Sequence, residues 1–258
     1  MNILLIGCGR MGGAMARGWA GAHRVLVFDP AATALPEGAE RVTSLDAGLP
    51  EPLVVVLAVK PQVFPSIAAS LASIATRDTL FVSIMAGITL EGLGSALGAT
   101  QRIVRTMPNT PAAIGCGITA AVAGREVSEE DRAAVDALLK PTGELVWLDA
   151  EDDLDVVTAV SGSGPAYFFR FTEALAAAGA SAGLAPELAM RLARATFTGA
   201  AALARADEAE LKKLRRQVTS PGGTTAAGLA EMDADSAIDR LAEAVVRAAA
   251  ARSRALAG

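Results

Sequence analysis

The chain has 258 residues, 52% of them hydrophobic, 20% charged and only 4% aromatic, which supplies enough Ala, Val, Leu and Ile for two cores of ordinary domain size. A formal net charge of -5 argues against a nucleic-acid binder, whose basic face must neutralise phosphates. A single histidine, His23, and two distant cysteines, Cys8 and Cys116, exclude a Cys/His zinc site, and no metal is expected.

Up to residue 150, short apolar runs alternate with helical stretches, the signature of a parallel sheet with crossover helices. Ile3 to Ile6 reads as a strand, Met11 to Ala20 as a helix and Val25 to Phe28 as a second strand ending at Asp29-Pro30. The β-branched run Leu53 to Val59 has the pattern of a strand covered on both faces. Leu80 to Ile84, Arg102 to Arg105, Ile118 to Val122 and Leu145 to Leu148 continue the strand series, and Ser128 before Glu129, Glu130 and Asp131 reads as the N-cap of a helix reaching Leu139. Beyond Asp149 the texture becomes helical and Ala-rich: Val156 to Val160, Tyr167 to Ala178, Pro186 to Ala204, Glu208 to Gln217, Thr224 to Met232 and Ala237 to Leu256. Glu151, Asp152, Asp153 and Asp155 read as a solvated helix N-terminus rather than a metal site. The division into residues 1–150 and 151–258 follows, and the small side chains of the second half imply that another subunit completes its packing.

Gly7-Cys8-Gly9-Arg10-Met11-Gly12 follows the first strand and opens the first helix. In that context the glycines permit a tight turn, close approach to a pyrophosphate and close helix-sheet packing, while the helix N-terminus faces the phosphates. Asp29 ends the next strand, where a carboxylate would take the adenosine ribose hydroxyls of NAD(H) and repel a 2′-phosphate, and no Arg follows it closely. Ala58-Val59-Lys60-Pro61, Met85-Ala86-Gly87 and Arg105 to Pro111 around Asn109 end three successive strands, at the edge where open α/β sheets bind ligands. Ser161-Gly162-Ser163-Gly164-Pro165-Ala166-Tyr167 and Thr219-Ser220-Pro221-Gly222-Gly223-Thr224-Thr225 each lead into a helix, gathering backbone N–H groups and hydroxyls suited to a carboxylate. His23 lies in a short polar turn and reads as a loop residue rather than as part of a Ser-His-Asp triad. The N-terminus enters a strand at once without the pattern of an export signal, the thiols suit a reducing compartment, and a cytoplasmic protein without a membrane span is expected.

Taken in order, these motifs closely resemble those of the pyrroline-5-carboxylate reductases. The resemblance implies an α/β fold: an N-terminal Rossmann-type parallel sheet domain followed by an all-helical C-terminal substrate-binding and dimerisation domain. It implies NAD(P)H-dependent reduction of L-1-pyrroline-5-carboxylate to L-proline, in a dimer that assembles further into a decamer in many relatives. By the same resemblance, Ile6, Gly7, Cys8, Gly9, Arg10, Met11, Gly12, Ala58, Val59, Lys60 and Pro61 contact the cofactor, with Ala86 and Asn109 near the nicotinamide. Ser163, Ser220, Gly222, Gly223 and Thr224 surround the substrate, and the Thr225 hydroxyl meets its ring nitrogen. Asp29 departs from the small polar residues of many NADPH-preferring relatives, so NADH and NADPH both stay open. The lack of a catalytic histidine fits this chemistry, since a cyclic imine can arrive protonated and the protein's task is then orientation. Two alternatives stand beside it: another imine or β-hydroxy-acid reductase of this architecture, whose strand-end lysine would have to be Lys212 or Lys213, and a non-catalytic NAD(P)H-binding protein.

Overall fold

The computed structural model describes residues 1–45, 48–98 and 102–257. It divides into two compact units, one formed by Met1–Ser163 with the chain from Ala248 onward, the other by Gly164–Arg247.

The first unit is built on one eight-stranded sheet: β1 (Asn2–Ile6), β2 (Arg24–Phe28), β3 (Ala39–Arg41), β4 (Leu53–Leu57), β5 (Thr79–Ser83), β6 (Arg102–Met107), β7 (Gly117–Ala123) and β8 (Gly143–Trp147). Spatial order is β3-β2-β1-β4-β5-β6-β7-β8. From β1 the chain adds strands first in one direction and then, from β4, in the other, so the topological switch point lies between β1 and β4. Every pair is parallel except β6 and β7, which run antiparallel with Arg105 opposite Val122. The sheet is thus parallel-dominated, as expected, and the one exception has a local cause: residues 108–116 link the two strands through a 3-10 turn at Thr110–Ile114, too short for a crossover helix, so the chain turns back on itself.

Alternation along the strands sorts the core into two layers. Ile3, Leu5, Val25, Val27, Val54 and Val56 face α1 (Arg10–Trp19) and α4 (Glu129–Leu139) through Met15, Trp19, Val135 and Leu138. Leu4, Ile6, Leu26, Val55 and Leu57 face α2 (Phe64–Ser73) and α3 (Leu90–Leu97) through Phe64, Leu71, Leu93 and Leu97. Burial on both sides explains why β4 reads as an unbroken apolar run. Helix α4 starts with a full capping box, Ser128 with Asp131, and Arg102 also pairs with that carboxylate.

After β8, α5 (Asp153–Val157) runs into a π-turn over Thr158–Gly162, both within the first unit. The acidic group at this point is not simply solvated. Glu151 Oε1 accepts from buried Arg105 at 2.6 Å and from the Leu90 backbone N–H at 2.8 Å, capping α3, while Asp155 accepts from Ser253 at 2.6 Å. The sequence pattern of consecutive acids at a helix start carried no sign of these distant partners.

The second unit is helical: α6 (Gly164–Ser181), α7 (Pro186–Ala206), α8 (Leu211–Gln217), α9 (Thr224–Asp233) and most of α10 (Ala237–Ala257). Helices α6 and α7 pack together, with Phe197 stacked on Phe168 and edge-on to Phe169, both at 6.1 Å between ring centres. The helix expected from Glu208 starts only at Leu211, because Asp207 turns the chain by accepting from the Ala209 N–H at 2.9 Å. Among the described residues no helix is long and apolar enough to cross a membrane.

Candidate active site

The glycine loop leaves β1 at the switch point, where the carboxyl ends of parallel strands leave a crevice for ligands. Gly7 turns it with φ +93, a conformation other residues avoid, and a Cβ there would lie 2.8 Å from the Ala58 carbonyl. At Gly12 a Cβ would run into the Gly7 carbonyl, so this glycine serves helix-sheet packing. Gly9 differs from both: it is exposed, and a Cβ added there would meet no protein atom within 4 Å. Its lack of a side chain serves no packing in the protein itself.

Gly9 is also the N-cap of α1, and no side chain caps that helix. The N–H groups of the first turn therefore lack intrahelical acceptors and present a positive end, with Arg10 exposed beside them. A shaped turn, an open flank at Gly9 and an uncapped helix start fit a pyrophosphate.

Asp29, directly after β2, joins this loop. Its Oδ2 accepts from the Cys8 backbone N–H at 2.7 Å and its Oδ1 from the Ala31 N–H at 2.9 Å. Burial, and then the Asp29 charge, push the Cys8 thiol above its ordinary range, against the opposing pull of Arg17 and Arg41, while the backbone N–H of this residue is the group bonded to Asp29. Arg41, in the short edge strand β3, reaches the same turn and donates to the carbonyls of Asp29 at 3.3 Å and Ala32 at 2.9 Å. Sequence reading placed no arginine here. Twelve residues separate the two, and only the pairing of β2 with β3 brings them together.

The next strand ends complete this edge. β4 stops at Leu57, so Ala58, Val59, Lys60 and Pro61 form the loop beyond it rather than its last residues, with the Ala58 N–H bonded to the Ile6 carbonyl at 2.8 Å. Lys60 and Ala86 are exposed. Asn109, after β6, accepts from the Ile118 N–H at 3.0 Å through its side-chain oxygen, which fixes the amide with its N–H donors to spare. Ser163, half-buried, closes the π-turn by donating its N–H to Thr158 at 2.8 Å, and the Ser161 hydroxyl nearby is buried without a partner. His23 lies before β2, at the opposite edge of the sheet from all these loops, with burial and the N-terminal charge holding its imidazole below the ordinary value.

In the second unit, the turn before α9 presents a second uncapped helix start. Gly222 takes φ +69, Gly223 is the N-cap with no side-chain cap, and Thr224 and Thr225 are exposed in the first turn. The Gly223 N–H already donates to the Ser220 carbonyl at 3.0 Å and the Ala227 N–H to Gly223 at 3.1 Å. That leaves the N–H groups of Thr224, Thr225 and Ala226, together with two hydroxyls, as donors toward an anion. Lys212 and Lys213 are exposed on α8.

Comparison with known proteins supplies the family. Residues 151–256 match the model of pyrroline-5-carboxylate reductase dimerisation, and residues 2–87 match that of NADP oxidoreductase coenzyme F420-dependent. The pyrroline-5-carboxylate reductase of Pseudomonas aeruginosa is 44% identical over 79% of this chain and 74% of its own length. The chain belongs to the pyrroline-5-carboxylate reductase family. The Mycobacterium tuberculosis member is 36% identical over 99% of this chain and 96% of its own. Among solved structures, the Coxiella burnetii reductase superposes with a TM-score of 0.92 at 32% identity, covering 100% of this chain and 98% of its own. The Plasmodium falciparum reductase with NADP bound gives 0.81 at 28%, with the same two coverages.

Proposed function

We propose that the chain catalyses NAD(P)H-dependent hydride transfer to the C=N bond of L-1-pyrroline-5-carboxylate, giving L-proline, the last step of proline biosynthesis. The observation that carries this reading is a near-full-length match to that family in a chain with uncapped helix starts both at the switch point and at Thr224. Residues 1–150 are its dinucleotide-binding domain and residues 151–258 its substrate-binding and dimerisation domain.

The reduced nicotinamide, when bound, supplies the hydride. The α1 N-terminus with Ile6 to Gly12 holds the pyrophosphate, Asp29 the adenosine ribose, and Ala58 to Pro61, Ala86 and Asn109 line the remaining length. Backbone groups of Gly222 and Thr224, in the turn shaped by Ser220 and Gly223, hold the substrate carboxylate, and Ser163 lines its pocket. The Thr225 hydroxyl accepts from the protonated ring nitrogen and keeps that proton on the imine, which makes the ring carbon electrophilic. The electrophile brings its own proton, so no histidine is required.

The protein works in the cytoplasm as a dimer that associates further into a decamer. Incubating it with pyrroline-5-carboxylate and NADPH or NADH should consume the cofactor's near-ultraviolet absorbance and form proline in equal amount. A protein that binds cofactor but leaves it unoxidised would overturn the reading in favour of a non-catalytic role, and oxidation only with a β-hydroxy-acid precursor would favour the other reductase class.

A further inference from the structure

One carboxylate oxygen of Glu151 joins three stretches of chain that lie far apart in sequence. Its Oε1 accepts from Arg105 Nη1 at 2.6 Å and from the Leu90 backbone N–H at 2.8 Å, partners 46 and 61 residues away. Arg105 belongs to β6, upstream of Asn109, and its side chain is 5% exposed, with Nε buried and unpartnered. Leu90 opens α3, a short way past Ala86. Thr89 commits its own hydroxyl to the Gly92 N–H at 3.0 Å, so without Glu151 the Leu90 N–H would remain an orphan of the helix start. Glu151 itself precedes α5, whose buried Leu154 packs with Met107, and from there the chain runs on to Ser163.

In the proposed activity these stretches carry Ala86 and Asn109 at the nicotinamide and Ser163 at the substrate. Neighbouring bonds stiffen the path from Glu151 to each of them. The Thr106 hydroxyl donates to the Ser83 carbonyl at 3.0 Å, tying β6 to the strand that ends before Ala86. Asn109 is held by the Ile118 N–H at 3.0 Å. On the other side, the Thr158 hydroxyl donates to the Leu154 carbonyl at 2.7 Å and the Ser163 N–H to the Thr158 carbonyl at 2.8 Å. The π-turn rests on β6 as well: a Cβ at Gly162 would lie 3.9 Å from Met107 Sδ. Hydride transfer needs the two reacting carbons at about 3–3.5 Å, and a misplacement of about 1 Å costs on the order of a hundredfold in rate. We infer that Glu151 is a positioning residue for this transfer: by holding two donors on one oxygen, it sets the spacing between the cofactor-side loops and the substrate-side turn. The length of its side chain serves the reaction, while its charge serves the buried Arg105. Glu151 acts through Arg105 and the Leu90 amide, and this role presupposes the proposed activity.

Two substitutions separate length from charge. Glu151→Gln keeps the length and an oxygen that accepts from both donors while removing the charge; Glu151→Asp keeps the charge and is one methylene shorter. Each purified protein, carrying less than one equivalent of reduced cofactor, is mixed with varied pyrroline-5-carboxylate. The single-turnover loss of reduced cofactor then gives a limiting rate and a half-saturating concentration. Glu151→Asp should lower the limiting rate at least about tenfold and leave the half-saturating concentration within about twofold. Glu151→Gln should keep the limiting rate within about threefold of the wild type, although its melting temperature falls further than that of Glu151→Asp. A wild-type limiting rate in Glu151→Asp, a change confined to half-saturation, or limiting rates that follow melting temperature across the variants would overturn the inference. Glu151→Asp retains the buried ion pair and decides the matter by itself if Glu151→Gln does not fold. A wild type that oxidises no cofactor would overturn the proposed activity and this role with it, whereas turnover by the wild type beside an unimpaired Glu151→Asp overturns this role alone.

Discussion

The two units of this chain bury themselves in opposite ways. In the sheet unit the central strands β1, β4, β5 and β6 are sealed on both faces, and residues as large as Trp19, Phe81 and Leu57 are wholly buried. In the helical unit the buried residues are mainly small, Thr172, Ala176, Ala189 and Ala193, while Phe168 is 62% exposed, Leu211 72% and Leu241 59%. An apolar groove of about 390 Å³ runs along Tyr167, Phe171, Met232, Leu241 and Val245. Exposed apolar area on this scale is a liability in a monomer, and the match of this region to the model of pyrroline-5-carboxylate reductase dimerisation supports self-association; we propose that a second copy covers this groove. On that proposal, one half of the sequence specifies its own core, and the other specifies half of a shared one.

The largest effect that would break this contrast is expected from Phe171→Glu. A charge placed in the groove should weaken self-association by about a hundredfold or more, turning the dimer into monomer in light scattering while the circular dichroism of the sheet unit persists. A variant that remains dimeric would show that the groove is not the shared core.

Within the sheet unit, two glycines of one motif should separate. Gly12→Val forces a side chain into the Gly7 carbonyl and should cost about 3 kcal/mol of stability, read as a fall in melting temperature. Gly9→Val, with open space around its Cβ, should leave the melting temperature alone and abolish tight NAD(P)H binding. Equal melting behaviour with unimpaired binding would sink the assignment of the loop to the pyrophosphate.

The uncapped α9 start gives the next test. Thr225→Ala should lower kcat/KM by about tenfold to a hundredfold without changing the fold; wild-type kinetics would remove Thr225 from the mechanism.

Two structural pairs give smaller effects. Glu151→Ala leaves Arg105, whose side chain is 5% exposed, without its ionic partner, and should cost about 3 kcal/mol. Asp131 tests the sheet unit's acid limit. Burial alone would raise its carboxyl, but hydrogen bonds from Arg102 and Ser128 outweigh that and hold it below the usual range. Its contribution is therefore complete above the unfolded value of about 3.9 and disappears as pH falls through the lower folded value. Asp131→Asn should flatten the acid limb of a stability-against-pH curve measured by urea unfolding.

How legible all this was in the sequence follows from the same contrast. Strands covered on both faces announce themselves as β-branched runs, so β1, β2, β4, β5 and β6 stand out. Three elements lacked a signal of that kind. β3 is a three-residue edge strand, Ala39–Arg41, largely exposed. α3 contains Gly92 and Gly94, which weaken helix propensity, and its Thr89 cap is visible only once the helix is known. α2 starts at Phe64 with Pro65 in its first turn and no side-chain cap. The direction of β7 depended on the length of a connection rather than on any residue. The glycine loop and the Ser220 to Thr225 turn were legible because backbone conformations of this kind demand particular residues. Arg41 and the pairing of Arg105 with Glu151 were not, because partners far apart in sequence are set by topology.

The measurement that bears most directly on the account is the fate of a labelled hydride. With cofactor carrying deuterium at nicotinamide C4 in the transferable position, the account predicts proline with one deuterium at the reduced ring carbon. Cofactor oxidation that yields unlabelled proline, or no proline at all, would contradict it.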